Sequence, residues 1–486
     1  MMFKKNLYKI KNLDFDLIFF INLSFCIFPL TYILGNLLLN LNLLILCLLG
    51  IIYLKKKLFY FKPDLFITSI ILFFFLIFFS TLINSKILSY EEFEIKKLEN
   101  LFKSIIFLRF LILLIIIYLL SKYDVIIFRY FFYSAAFFST ALSLDIMYQY
   151  VSGRDIFGFE SGPNRNSGFF GNDEPIAGGF IGRFAFFAFF LDFFLTIKKK
   201  SKNVLFTSLI IYIILVGTLL AGNRMPLVLL LTGLVIIFIF IHEFRKPIIS
   251  AFIIFLITFM LIVNNNKTIK YNYLSFYVFQ KTLVLNIYKN FTEVKKVDKK
   301  INLSEDERKE KSLDNVISNQ LKFLPRRNMH TALFLTAIDT WRMNKIFGNG
   351  IKSFRKDCIL IIKSRYKYKG DYQKLIKANR ACSNHPHNYY LEILTDTGIV
   401  GIIIITAIGL LFVTFILRNL RFFNIKNFDN LILTAAIISL ITETFPIKST
   451  GSIFTTNNAT YIILVAAMVI GYQNLLKEKN LSKNIL

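Results

Sequence analysis

Two histidines and an amide stand together at His385, His387 and Asn388, in a polar stretch, His385-Pro386-His387-Asn388-Tyr389-Tyr390, that runs straight into a long apolar segment. They are two of only four histidines in the chain. A neutral imidazole, with an ordinary pKa near 6.5, accepts a proton at physiological pH, which makes His387 the candidate general base. His385 and Asn388 are close enough in sequence to orient a substrate or the ring. Ionisable groups held beside a membrane span are functional more often than structural. The competing reading, interfacial polar residues without chemistry, suits a lone histidine better than a pair beside an asparagine. Arg183 lies inside an apolar run and must face a cavity or a partner, for which Asp192 and Glu174 are the near candidates. Glu392 and Asp396 are one helical turn apart and could share a metal, but no third ligand accompanies them, so they read as structural groups. No cofactor is expected. Cys358 and Cys382 fit no zinc spacing; in an oxidising compartment they would form a disulfide. Cys26 and Cys47 fall in apolar runs and read as inert.

The elements that must position these residues are membrane helices. The chain is 55% hydrophobic with a mean hydropathy of +0.58, which excludes an ordinary soluble domain. About twelve apolar runs approach the roughly 20 residues a spanning helix needs. They lie near 15–34, 37–54, 65–83, 104–121, 125–149, 175–197, 203–221, 226–242, 248–263, 399–417, 429–446 and 457–474. The first follows Met1-Met2-Phe3-Lys4-Lys5 without a small-residue cleavage site and reads as a retained span. The net charge of +28 would suggest nucleic acid in a soluble protein, but here the basic residues cluster beside spans and no nucleic-acid motif accompanies them. Lys55-Lys56-Lys57, Lys198-Lys199-Lys200, Arg245, Lys246, Arg418, Arg421, Lys477 and Lys479 all fall on one side, which the positive-inside rule makes cytoplasmic. The other side receives the loop 150–174, the turn 221–226 and the long segment 264–398. The expected fold is thus an all-α polytopic membrane protein in three parts. Residues 1–263 hold nine spans, 264–398 form a large outer loop with the histidine motif, and 399–486 hold three more spans. Within the large loop Lys295–Lys311 reads as solvated. Residues 328–345 have helical apolar spacing at Leu333, Phe334, Ala337, Ile338 and Trp341.

The phrase HPHNYYLEILTDTGIVG, with His387-Asn388 followed by Gly398 and Gly401, resembles the signature of the O-antigen ligase and O-antigen polymerase superfamily. Arg165-Asn166-Ser167-Gly168 resembles its Arg-x-x-Gly loop, Asn223-Arg224 its Ser-Arg turn, and Ile346-Phe347-Gly348-Asn349-Gly350 its Gly-x-Gly segment. The family's loop arginine falls nearest His330 here, with Arg326 and Arg327 just upstream. The resemblance covers residues 140–420 and implies a C-type glycosyltransferase architecture in a bacterial inner membrane, with the large loop in the periplasm. It implies metal-independent, inverting transfer of a glycan from undecaprenyl diphosphate to a hydroxyl, with lipid A-core as the ligase acceptor. Arg165, Arg224 and one of Arg326 or Arg327 would bind the pyrophosphate, because guanidinium stays charged and grips phosphate bidentately. Arg224 also fits a residue snorkelling at a helix end. The ligase is favoured over the polymerase. A lipid-linked oligosaccharide flippase or transporter is disfavoured, because one outer loop dominates and no repeated halves are visible.

Overall fold

The computed structural model describes residues 17–87, 94–162, 165–171, 176–196, 203–271, 273–274, 276–278, 329–365, 380–425, 427–449 and 451–485. Arg326, Arg327, Glu174 and Lys295–Lys311 lie outside these residues. Among the described residues the chain is helical and forms no strand. The N-terminal part contains α1 (Leu17–Cys26), α2 (Phe28–Leu34), α3 (Asn36–Leu54), α4 (Leu65–Ile87), α5 (Glu94–Phe107) and α6 (Arg109–Lys122). There follow α7 (Phe128–Ser152), α8 (Ala177–Phe189), α9 (Leu191–Thr196), α10 (Val204–Leu220), α11 (Arg224–Phe240) and α12 (Arg245–Asn265). Two helices, α13 (Met329–Trp341) and α14 (Phe354–Arg365), precede α15 (Tyr389–Arg418), α16 (Phe428–Glu443) and α17 (Thr456–Ile485).

Seven described helices are long and apolar enough to cross a bilayer, and eight if α1 and α2, bent by 52° at their junction, count as one span. Helices α10 and α11 are shorter apolar helices of 17 residues each. Polar residues mark the starts. Asp64 accepts from Ile67 N at 2.9 Å ahead of α4, Asn203 from Phe206 N at 3.0 Å ahead of α10, and Asn427 from Asn430 N at 2.9 Å ahead of α16. Packing is aromatic and close. Phe132 stacks on Phe194 with centroids 4.5 Å apart, and Phe131 meets Phe187 edge-on at 5.3 Å. Helices α6 and α17 approach so nearly that a Cβ on Gly471 would lie 2.5 Å from Tyr118 O. Outward rows such as Ile403, Leu410, Val413 and Leu417 on α15 are exposed, as a lipid-facing surface requires.

The helices end in two separate polar faces. At one end Lys122 pairs with Glu478 at 3.1 Å, Lys479 with Asp124 at 2.8 Å, and Lys57 lies over Tyr123. At the other end meet the α4 C-terminus, the loops 153–171 and 444–455, the turn at Asn223, and α13–α15. There the structure departs from the expected boundary at 399. Helix α15 begins ten residues earlier, at Tyr389, and breaks at Gly398 (φ 68°, ψ −162°). The break frees backbone groups that a membrane helix must satisfy internally. The segment 345–350 does so. Asn349 N donates to Thr395 O at 2.8 Å and Gly350 N to Asp396 O at 2.9 Å, while Ile399 N donates to Lys345 O at 2.9 Å. Both segments of this contact need glycine. A Cβ on Gly398 would lie 2.2 Å from Ile346 O, and one on Gly348 (φ 69°) 2.4 Å from the Asp396 carbonyl carbon. Asp396 accepts from Lys352 N at 2.6 Å and Glu392 from Ile453 N at 2.8 Å, so both carboxylates pin loops. Among the described residues no group of three His, Cys, Asp or Glu side chains is placed to hold a metal ion.

Candidate functional site

The histidine motif enters α15 as a capped turn. Asn388 Oδ1 accepts from Tyr390 N at 3.0 Å and Leu391 N at 3.1 Å, and its Nδ2 donates to Pro446 O at 2.9 Å and Lys448 O at 3.2 Å. Asn388 was expected to touch substrate. Its amide bonds the cap and the 444–455 loop, which fixes the backbone next to His387. His387 itself sits at φ 56°, in the left-handed region that non-glycine residues rarely adopt. Such strain persists where surrounding contacts over-determine it, as at functional sites. The turn brings three imidazoles together. His387 lies 4.2 Å from His385 and 5.5 Å from His330 by ring centroids, the latter edge-on. His330, in the first turn of α13, reaches Ser449 Oγ at 3.3 Å from Nδ1. Burial, then His387, then the positive charge of Arg224 hold the His330 pKa below the ordinary imidazole range. At neutral pH His330 is therefore an uncharged neighbour of His387.

The two turns that carry arginine are built differently. Arg224 opens α11 and is partly buried, with Arg165 within electrostatic reach. Arg165 is exposed, beside a loop fastened from below. The Asn166 amide donates to Leu220 O at 2.8 Å, and Gly168 N donates to Gln149 Oε1 at 2.9 Å. The structure thus gathers His385, His387, His330 and Arg224, with Arg165 at the edge.

A cavity of about 360 Å³ opens beside the motif. Its polar lining includes His385, Arg183, Asn223, Lys448, Ser449 and Asn458, and Tyr32, Phe170 and Phe180 supply aromatic walls. Its floor is an ion network around Arg183; of the two expected partners, Glu174 lies outside the described residues. Arg183 forms a two-pronged pair with Glu443, at 3.1 Å from Nε and 2.9 Å from Nη2. Asp192 accepts from Asn203 N at 2.9 Å instead, because the end of α8 turns it toward α10. Glu443 also accepts from Lys448 Nζ at 2.7 Å and from Tyr389 OH at 2.8 Å. Burial pulls the Lys448 ammonium down to about 8, against the opposing attraction of Glu443. One carboxylate therefore binds two cations beneath the cavity, leaving a surplus of one positive charge there. Glu443, Lys448 and Ser449 escaped the sequence reading, which ran the eleventh span through 446. The available signal was a charged residue inside an apolar run, the same signal that marked Arg183.

A disulfide joins Cys358 of α14 to Cys382, with Cα atoms 5.6 Å apart. Cys382 lies three residues before His385, and Cys358 packs with Leu333, Ala337 and Phe354, so the bridge ties the approach to the motif onto α13 and α14.

This geometry can bind an anionic group beside a neutral imidazole at the end of a set of apolar helices. No curated protein matches the chain. Residues 209–406, which contain Arg224, His330 and the His385–Asn388 turn, match the family model described as O-antigen ligase, which supports the resemblance to the O-antigen ligase and polymerase superfamily.

Proposed function

We propose that this protein is an O-antigen ligase: it transfers a glycan from undecaprenyl diphosphate to a sugar hydroxyl of lipid A-core, on the periplasmic face of the inner membrane, through about twelve spans. The observation that carries this reading is the meeting of His387 with His385 and His330 beside Arg224 and a cationic cavity, at the face where the outer loops converge. In the proposed step His387 takes the proton from the acceptor hydroxyl. The freed oxygen attacks the anomeric carbon with inversion. The bond from that carbon to the diphosphate oxygen breaks, and its electron pair leaves on the diphosphate. Arg224 and Arg165, with Arg326 or Arg327, stabilise that charge. The developing charge is matched by protein cations, so the step uses no metal. The Cys358–Cys382 bridge fits an oxidising compartment.

His387→Ala removes the base and is expected to lower transfer by about 10²–10⁴-fold, with the protein still folded in the membrane. Transfer at the wild-type rate in His387→Ala protein overturns the assignment. The polymerase reading shares every residue named here, since it releases the same carrier. Lipopolysaccharide from a deletion strain separates the two. A missing ligase gives core without O-antigen, whereas core bearing a single repeat identifies the polymerase.

A further inference from the structure

A second group of cations gathers around α5, α14 and the first turn of α6. Glu99 of α5 bonds both Lys103 and, at 3.1 Å, Lys356 of α14, which fixes α14 over α5. Three neighbours are left over. Arg109, Lys352 and Arg355 take part in no ion pair among the described residues. Among the described residues the Arg109 guanidinium reaches neutral oxygens, Ile106 O at 3.4 Å and Thr456 Oγ1 at 3.1 Å. Its Nε is buried without an acceptor, as is the Nε of Arg355. Lys352 lies within electrostatic reach of Arg355, Lys103 and Arg109, and burial followed by Arg355 holds its ammonium below the ordinary lysine range. The carboxylate within its reach, Glu392, already accepts from Ile453 N at 2.8 Å. None of the three lines the histidine cavity. Arg109 moreover lies in the apolar stretch Glu99–Lys122, where an unpaired charge marks a ligand or a path more often than packing.

Directly beside these cations an apolar cavity of about 170 Å³ runs between α4, α15 and α17. Phe73, Phe74, Phe107, Ile405, Gly409 and Phe454 form its walls. The two features are neighbours: Phe107 of the groove is two residues from Arg109, Arg109 bonds Thr456 two residues after the lining Phe454, and Ile453, which also lines the groove, is bonded to Glu392. The helices flanking it expose Leu72 and Phe75 on one side and Leu410 and Val413 on the other, so the groove adjoins the lipid-facing surface. A free anion would leave the groove unfilled and a neutral lipid would leave the guanidinium Nε–H groups without acceptors. An amphiphile with a phosphate beside its chain satisfies both.

We propose that Arg109, Lys352 and Arg355 bind the phosphate headgroup of an anionic membrane lipid whose chain occupies this groove. This goes beyond the transfer reading and does not depend on it. The test is native mass spectrometry of the purified full chain titrated with phosphatidylglycerol, with diacylglycerol, and with inorganic phosphate as competitor. Phosphatidylglycerol is expected to bind at least about tenfold more tightly than diacylglycerol, and the Arg109→Gln/Arg355→Gln double variant to lose that preference, as charge-assisted hydrogen bonds to two guanidiniums imply. Gly409→Leu, at a position where a Cβ meets nothing within 4 Å, fills the groove and should weaken lipid binding too. Undiminished preference in the double variant overturns the proposal. So does full displacement by inorganic phosphate with Gly409→Leu unchanged, which would make the cluster a free-anion site. Should the double variant fail to fold, Lys352→Gln, whose side chain holds no hydrogen bond or ion pair among the described residues, carries the same expectation of weakened binding, and wild-type binding there overturns it.

Discussion

Glu443 sits between two cations, and that arrangement sets the pH behaviour of the cavity. Glu443, 2.7 Å away, favours the protonated form of the buried Lys448, but burial outweighs it and brings the pKa down to about 8 from about 10.5. The folded-state pKa is below the unfolded one, so between about 8 and 10.5 the unfolded chain holds the extra proton. The Lys448 contribution to stability therefore rises with pH across that window, while the cavity loses a positive charge. Transfer by the wild type is expected to decline as pH passes about 8, and Lys448→Arg, which stays charged, should extend the rate upward in pH. Identical alkaline limbs in rate profiles of the two proteins would remove Lys448 from the site. Breaking the network from the other side is costlier. Glu443→Gln leaves Arg183 and Lys448 buried without a carboxylate and should cost about 3–5 kcal/mol in detergent unfolding, with Arg183→Met/Glu443→Leu recovering much of it. Little of this was legible beforehand. His385 and His387 stand out because they are polar beside a hydrophobic run. Arg183 and Glu443 are 260 residues apart, and no local pattern joins them.

The broken helix α15 shows how an element reaches the site. Tyr389 to Thr397 form a buried half that carries the motif at its N-terminus, and residues beyond Gly398 form the lipid-facing half. Gly398 and Gly401 stand in the sequence motif, and at Gly398 the loop backbone approaches closely, against Ile346. The motif did not reveal the break, because the apolar run continues through it and the partner segment is some 50 residues upstream. What compensates the break is long-range: Ser80 donates to Phe347 O and to Asp396 O, and Asn84 donates to Gly348 O at 2.7 Å. Gly398→Ala would combine a left-handed φ with a Cβ 2.2 Å from a carbonyl oxygen, so a loss of more than about 2 kcal/mol is expected. Gly409→Ala, on the same helix with open space around it, should be near neutral. Equal thermal midpoints for the two variants in detergent would show that the kink is not held as described.

At the scale of the whole molecule, helix alternation and three-dimensional contacts agree on which segments share a face. Counting spans puts 84–103, 150–174, 221–226, 264–398 and 446–456 on one side. The structure joins members of this set by Lys356–Glu99, His330–Ser449 and Asn388–Lys448 contacts. The opposite set meets through Lys122–Glu478, Lys479–Asp124 and Asn474–Asp64. The grouping was legible because hydropathy fixes the alternation; the apolar groove and the ion network were not, since they depend on which helices become neighbours. Orientation rests on the charge rule, which assigns the lysine-rich face to the cytoplasm. Two exposed positions test it. Phe157, 67% exposed in the loop after α7, belongs to the proposed periplasmic face, and Phe59, 90% exposed after α3, to the other. With Cys26 and Cys47 replaced, Phe157→Cys should react with a membrane-impermeant maleimide in intact spheroplasts, and Phe59→Cys only after permeabilisation. The reverse pattern would put the histidines in the cytoplasm and out of reach of a periplasmic acceptor. It would also place Cys358 and Cys382 in a reducing compartment, so that the loss of the disulfide, read by thiol counting on the same samples, would accompany it.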